Sequence, residues 1–261
     1  EVLVMKVMKL LAAAAVMMGM AFAGSSTAVA ESTLDIVKKR GHLRCQVGQP
    51  SPGFYNLDKD GNWYGSDVAV CQTIAAAIFG DSSKVEYQSV STPQRFTAMA
   101  NGESDVLSRT TTWTLLRDTQ LGLDFTTVNF YDGQGFMVRV DSGIKSSLEL
   151  EGATVCVATG TTTELNLADY SRANNLDIEP VTFEDKNVRN ETFYKGGCDA
   201  VTNDKSGLAS TKAEFPDPEN FVILPETISK EPLGPVVPHG DDQWFDVVKT
   251  VMAILIYGEA F

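Results

Sequence analysis

Histidine is nearly absent from the 261 residues: there are two, His42 and His239, both in polar, loop-like contexts. That scarcity argues against a histidine-ligated metal. The four cysteines include no C-x-x-C pair, which argues against a zinc site or a redox dithiol. No G-x-S-x-G, H-E-x-x-H or phosphate-cradling loop occurs, so the familiar catalytic and nucleotide signatures are missing. Positive charge is also short. Lys and Arg number 21 against 34 Asp and Glu, a net charge of −13, whereas a nucleic-acid binder requires a basic face. Beyond residue 30 no apolar run approaches the roughly 20 residues of a membrane span. The most apolar one, residues 247–257, is short and interrupted by Lys249.

The first thirty residues have the pattern of an export signal. Met5 reads as the initiator, with residues 1–4 upstream of it. Lys6 and Lys9 form a positive n-region, residues 10–23 an apolar h-region, and Ala28-Val29-Ala30 an A-x-A cleavage site. Cleavage after Ala30 is expected, giving an exported chain that begins at Glu31. The leader carries net +1 (Lys6 and Lys9 against Glu1), leaving −14 for the remainder. In an oxidising compartment four cysteines suggest two disulfides. Three connectivities are open to them; the order of elements favours Cys45–Cys71 and Cys156–Cys198, each within one half of the chain.

Strands alternate with helices along the chain, which predicts an α/β fold. Residues 34–40 read as a short helix and 43–47 as the first strand. Residues 48–53 form a Pro/Gly loop leading to Phe54, an aromatic placed either to stack on a ligand or to pack under the loop. Residues 68–79 form an Ala-rich helix stopped by Gly80, with Asp67 before it as an expected N-cap. Residues 84–90 are a second strand. Thr92-Pro93 is expected to open a helix to about residue 101, with Pro at the first helical position and Arg95 in its first turn, on a solvated face or in a cleft.

A third strand, residues 105–108, runs into the stretch around which the chain is organised: Ser108-Arg109-Thr110-Thr111-Thr112-Trp113-Thr114-Leu115-Leu116-Arg117. Hydroxyls just past the carboxyl end of a buried strand stand where open α/β sheets bind ligands. Arg117 has the planar fork that grips a carboxylate. The pattern then repeats. Residues 154–158 form a buried strand feeding Thr159-Gly160-Thr161-Thr162-Thr163-Glu164 and a helix to about residue 174, a place that favours an anion and also reads as a Thr161/Glu164 capping box. Gly-x-x-Asp, two apolar residues and a polar run occur both at residues 102–108 and at 196–204. Two lobes of similar wiring would set Asp204 opposite the Thr/Arg stretch, as a counter-charge for an ammonium or as the N-cap of the helix from residue 206. Residues 136–140, 178–183 and 221–224 read as further strands, 188–194 as a helix, and about 243–256 as a last helix.

Several stretches taken together resemble the polar-amino-acid periplasmic solute-binding proteins of ABC transporters, in their general L-amino-acid branch. They are Gly61-Asn62-Trp63, residues 105–109 with Thr111-Thr112-Trp113-Thr114, Leu121-Gly122-Leu123-Asp124-Phe125, Tyr131-Asp132-Gly133-Gln134-Gly135-Phe136, residues 159–167, 228–235, and Gly240-Asp241-Asp242-Gln243-Trp244-Phe245. The likeness extends over about residues 34–249. It implies the type II periplasmic-binding-protein fold: two α/β lobes joined by two crossing hinge strands, with lobe 1 at 31–133, lobe 2 at 134–230 and a return to lobe 1 at 231–261. It implies capture of a small L-amino acid in the periplasm and delivery to an inner-membrane ABC permease. It implies a monomer, with no cofactor or metal and no enzymatic activity. Ligand contacts are implied at Arg117 (carboxylate), Thr110, Thr112, Thr162 and Asp204 (ammonium), with Arg95, Arg109, Phe54 and Trp113 as candidates around the side chain. Thr110 stands where this branch is expected to carry Asn. The likeness fades after Lys249, which suggests a lobe 1 cut short. The alternatives on the same fold are a cyclohexadienyl-dehydratase-like enzyme and an amino-acid sensor module.

Overall fold

The computed structural model of the protein describes residues 31–258; the expected leader and its cleavage point lie outside the described residues. Strands β1 (Leu43–Val47), β2 (Asn56–Leu57), β3 (Trp63–Tyr64), β4 (Val85–Ser89), β5 (Val106–Leu107) and β6 (Leu123–Phe125) come first along the chain. β2 and β3 form a small hairpin. The others, joined by a strand from late in the chain, build a five-stranded sheet. β7 (Phe130–Asp132) leads away from it. A second sheet follows: β8 (Gln134–Arg139), β9 (Thr154–Ala158), β10 (Glu179–Phe183), β11 (Ala200–Asp204) and β12 (Phe221–Ile223). β13 (Glu231–Leu233) then pairs antiparallel with β7, and β14 (Val236–Pro238) returns to the first sheet. β7 and β13 are thus the two strands that connect the lobes.

The two sheets share one wiring. The first has the order β4-β1-β5-β14-β6 and the second β10-β9-β11-β8-β12. In each, three parallel strands stand in the order second-first-third, followed by an antiparallel neighbour. Helices make the parallel connections, as they must: Ser66–Phe79 and Arg95–Ala100 in lobe 1, Thr162–Asn174 and Lys186–Tyr194 in lobe 2. The similarity between residues 102–108 and 196–204 therefore has a structural basis, since β5 and β11 are the third strands of their respective sheets.

Local chemistry explains where the elements stop and start. The helix Ser66–Phe79 ends where Gly80 takes φ 68° and donates its N–H to the Ala76 carbonyl. The helix Thr162–Asn174 starts with the expected box: Thr161 Oγ accepts from Glu164 N, and Glu164 reaches back to Gly160 N. Two expectations fail. The third lobe-1 helix spans Arg95–Ala100, so Pro93 precedes it; the Arg95 guanidinium takes the Thr92 carbonyl. The helix after β4 is therefore shorter than the one expected to open at Thr92-Pro93 and run to about residue 101. Asp67 does not cap its helix. Gly65 holds the N-cap position, with φ 125° and no side-chain cap, and the Asp67 carboxylate is used elsewhere.

Each lobe has its own apolar core. In lobe 1, Leu43, Cys45, Val47, Val68, Ile74 and Val106 pack with Trp244, Val248 and Met252 of the last helix, Asp242–Gly258. Trp244 is fully buried, and its indole N–H donates to the Asp105 carbonyl at 2.8 Å, so the chain after β14 is part of the first lobe. In lobe 2, Phe136, Val138, Val155, Val157 and Leu167 form one cluster and Met137, Phe193, Val201 and Phe221 another, on the two faces of the sheet. A disulfide crosses from strand to helix in lobe 1 (Cys45–Cys71) and another from β9 to the turn before β11 in lobe 2 (Cys156–Cys198).

Candidate functional site

The carboxyl ends of the parallel strands of both sheets open onto one polar cleft between the lobes, with a volume of about 90 Å³. From lobe 1 come Phe54 and Tyr55, Arg95, Arg109-Thr110-Thr111-Thr112 just past β5, and Arg117. From lobe 2 come Thr161-Thr162-Thr163 at a helix N-terminus, Lys186, Arg189, Asn203 and Asp204. Arg117 and Asp204 thus line the same cavity from opposite lobes.

The polypeptide around the Thr/Arg stretch is held in an uncommon shape. Thr110 has φ 42°, a region that a β-branched residue rarely enters. Asp67 fixes it there: its Oδ2 accepts the Thr110 N–H at 2.8 Å, and Asn129 Nδ2 donates to Oδ1 at 3.4 Å. Burial pushes the Asp67 carboxyl up to about 6, and the Thr110, Asn129 and Ser108 donors hold it back from rising further. The Thr110 hydroxyl lies 3.4 Å from the Tyr55 hydroxyl.

Arg117 is 7 % exposed and gives one N–H, from Nη1, to the Thr112 carbonyl at 2.8 Å. Burial pushes its pKa down to about 10, against the attraction of Glu231 and Asp204. Asp204 occupies the N-cap position of the helix Lys205–Glu214 yet makes no cap hydrogen bond. Asp132 takes that part, accepting from Ser206 N and Oγ, which leaves the Asp204 carboxylate to the cleft. Burial first, then the nearby carboxylates of Glu231 and Asp132, raise its pKa to about 8, while Arg117 and Arg189 oppose the rise.

Arg95 and Arg109 both line the cleft, at 5 % and 9 % exposure. Arg95 reaches across to the Gly160 carbonyl of lobe 2 at 3.1 Å and lies over the Phe96 ring. Arg109 donates to the Val90 carbonyl and to Thr92 Oγ1, and its Nε is buried without a partner. Phe54 meets Phe130 edge to face at 5.5 Å. Trp113 is the one candidate that the fold places outside the cleft: its ring stacks on Phe125 at 5.6 Å, its backbone N–H is spent on the Pro232 carbonyl, and it is partly exposed.

Three cleft-region residues of consequence were not singled out by sequence. Arg189 read only as part of the helix expected at residues 188–194 and Lys186 lay before it; the helix in fact starts at Lys186, where an (i, i+3) pair of cations is unfavourable with the helix dipole, and that was the available signal. Glu231 sits in the hinge strand β13, 2 % exposed. Its Oε2 accepts from Thr112 Oγ1 at 2.6 Å and Thr162 Oγ1 at 3.1 Å, and its Oε1 from Asn166 Nδ2 at 2.8 Å and Ser229 Oγ at 2.5 Å. One carboxylate thereby ties lobe 1, lobe 2 and the crossing segment together. The lobes also touch through Gln49, which donates to Asp185 Oδ2 and accepts from Lys186 N, and through Ser210 Oγ donating to the Pro52 carbonyl.

Twin α/β lobes, two crossing strands and a polar cleft at the strand ends define a two-lobed solute-binding protein, closed in this structure. Residues 43–258 match the bacterial extracellular solute-binding proteins, family 3, and the chain belongs to that family. It is 51 % identical over 236 residues to the general L-amino acid-binding periplasmic protein of Rhizobium johnstonii, covering 90 % of this chain and 69 % of the relative. It is 52 % identical over 234 residues to the glutamate/glutamine/aspartate/asparagine-binding protein of Rhodobacter capsulatus, with the same coverage, 90 % and 69 %. Among solved structures, a periplasmic binding protein of an ABC transporter from Brucella ovis, with glutathione bound, superposes with a TM-score of 0.82 at 48 % identity, over 85 % of this chain and 70 % of that one.

Proposed function

We propose that this chain captures L-amino acids in the periplasm and delivers them to the membrane permease of an ABC transporter, binding its ligand without chemical turnover. The observation that carries the reading is the guanidinium of Arg117 and the carboxylate of Asp204, brought by different lobes to one cleft. They suit opposite ends of a zwitterion. Arg117 takes the α-carboxylate, aided by the positive end of the helix Thr162–Asn174, and Asp204 takes the ammonium. The Thr112 and Thr162 hydroxyls donate to Glu231. A hydroxyl has one proton to give and two lone pairs, so these two offer acceptors to the ammonium rather than donors to the carboxylate. Lobe motion pivots on β7 and β13. The names of the relatives support both the ligand class and the compartment.

Hydrogen bonds to charged groups contribute about 1.5–3 kcal/mol each. Three or four, less ordering costs, reach the roughly −8 kcal/mol of a micromolar complex. Calorimetry of the protein with a panel of L-amino acids and sugars tests this. Binding of several amino acids and of no sugar is expected, with the ligand recovered unchanged; heat with a sugar alone overturns the reading. Binding at pH 7 is also expected to release close to one proton, since Asp204, with its pKa near 8, is protonated before the ammonium arrives and ionised afterwards. The measured enthalpy should then depend on the ionisation enthalpy of the buffer.

A further inference from the structure

Asp67 is not among the residues that line the cleft, yet its carboxylate is committed to the stretch that does. It lies in the first turn of the helix Ser66–Phe79 and is 4 % exposed. Gly65 lets that turn come close to the polypeptide at Phe54: a Cβ at residue 65 would sit 2.4 Å from the Phe54 carbonyl oxygen, which also accepts Asp67 N–H at 2.9 Å. From there the carboxylate meets three donors. Its Oδ2 takes the Thr110 N–H, and its Oδ1 takes the Ser108 hydroxyl at 3.5 Å and the Asn129 side-chain amide. Among the described residues Asp67 belongs to no salt bridge; Arg109 attracts it only at longer range. A buried carboxylate without a paired cation is costly, even with the positive end of a helix beneath it.

Two unfavourable features therefore meet at one hydrogen bond, the buried Asp67 carboxylate and the positive φ of Thr110. Strained backbone persists only where its surroundings over-determine it, and it gathers at ligand sites. Here the strain has a consequence two residues on. The Thr112 carbonyl accepts from Arg117, and the Thr112 hydroxyl donates to Glu231. A Thr110 relaxed to negative φ would send the chain elsewhere before those groups are placed. Resting on the amino-acid reading above, we propose that Asp67 is a positioning residue for ligand capture: by holding the Thr110 N–H it keeps residues 110–112 in the shape that presents Thr112 and Arg117 to the ligand. Asp67 itself touches no ligand atom. Without it Thr110 returns to ordinary φ in most molecules, the competent loop becomes a minor population, and apparent affinity falls by that fraction. Glycine enters positive φ about as readily as negative, so a glycine at residue 110 makes the loop far less dependent on Asp67.

The test is a double-mutant cycle at residues 67 and 110, read by calorimetry with L-glutamine, L-glutamate and L-alanine. At pH 7.5 the Asp67 carboxyl, which burial pushes up to about 6, is ionised. Asp67→Ala is expected to weaken binding by about tenfold. Thr110→Gly has its own effect, since it removes a hydroxyl, and serves as the reference for its pair. In that background the same Asp67→Ala change should cost less than about threefold. Asp67→Asn, whose amide oxygen still accepts the Thr110 N–H, should fall between the parent and Asp67→Ala, and it carries the cycle if Asp67→Ala does not fold in a thermal melt. A merely structural Asp67 would lower the melting temperature in both backgrounds and leave the affinity of the folded protein unmoved. Unchanged affinity in every folded Asp67 variant, or an equal loss in both backgrounds, overturns the positioning role and leaves the amino-acid reading standing. A parent that binds none of the three amino acids overturns that reading itself, and this role with it.

Discussion

Arg117→Ala is expected to lower amino-acid affinity by about two orders of magnitude or more while leaving the protein folded. The guanidinium is buried, donates one hydrogen bond to the Thr112 carbonyl and lies over the Phe96 ring. In the proposed complex it would be the partner of the ligand's α-carboxylate. Removing one member of a buried, hydrogen-bonded charge pair costs ~2–5 kcal/mol, and each 1.4 kcal/mol is a factor of ten. The free protein loses little, because a buried cation and its desolvation cost disappear together. Arg117→Lys should fall between the two: it keeps the charge but not the planar fork, which matters where a carboxylate is held in two places. Titration calorimetry, with thermal melts of the ligand-free variants, measures both effects. Arg117→Ala binding within threefold of the parent would remove Arg117 from the site.

Asp204→Asn is expected to move stability and affinity in opposite directions. Burial, then Glu231 and Asp132, push the carboxyl up to about 8 in the folded protein, from an ordinary value of 3.8. A carboxyl with a raised folded pKa binds its proton more tightly folded than unfolded. The ligand-free protein therefore loses stability as pH climbs from about 4 to 8, with the full penalty present above 8. Asn removes the ionisation, so the variant should melt with the parent at pH 4 and about 5–10 °C above it at pH 8. Meanwhile the ammonium loses its counter-charge, affinity should drop by about tenfold to a hundredfold, and the proton release on binding should vanish. Parallel melts at pH 4, 6 and 8 without ligand decide the first half. A variant no more stable than the parent at pH 8 would show that the carboxyl is not strained by its surroundings.

The two-lobed order of elements was legible in the sequence because its signals are local. The apolar run of residues 154–158 coincides with β9, and Gly80 ends its helix. Thr161 and Glu164 form the box that their spacing announces. The pairing of Arg117 with Asp204 in one cleft followed from the repeated Gly-x-x-Asp pattern, since the end of β5 and the end of β11 are equivalent places in similarly wired sheets. What escaped depends on partners distant in sequence. Asp67 looked like a helix cap, but Gly65 displaced it and the Thr110 N–H, 43 residues on, claimed its carboxylate. Lys186 and Arg189 drew no notice, the one before the expected helix 188–194 and the other inside it, because nothing nearby in sequence reveals that they line one cleft with Arg95 and Arg109 of the other lobe. Trp113 lay in the most informative stretch yet turned to Phe125. Glu231 lay in a proline-containing connection whose role shows only when residues 112, 162, 166 and 229 converge on it.

That convergence sets the working point of the molecule. A side chain anchored in the connecting ribbon already grips both halves, so part of the free energy of shutting is supplied from within. Cargo and this carboxylate then share the work of holding the halves together, so removing the carboxylate places more of that cost on the ligand's own affinity.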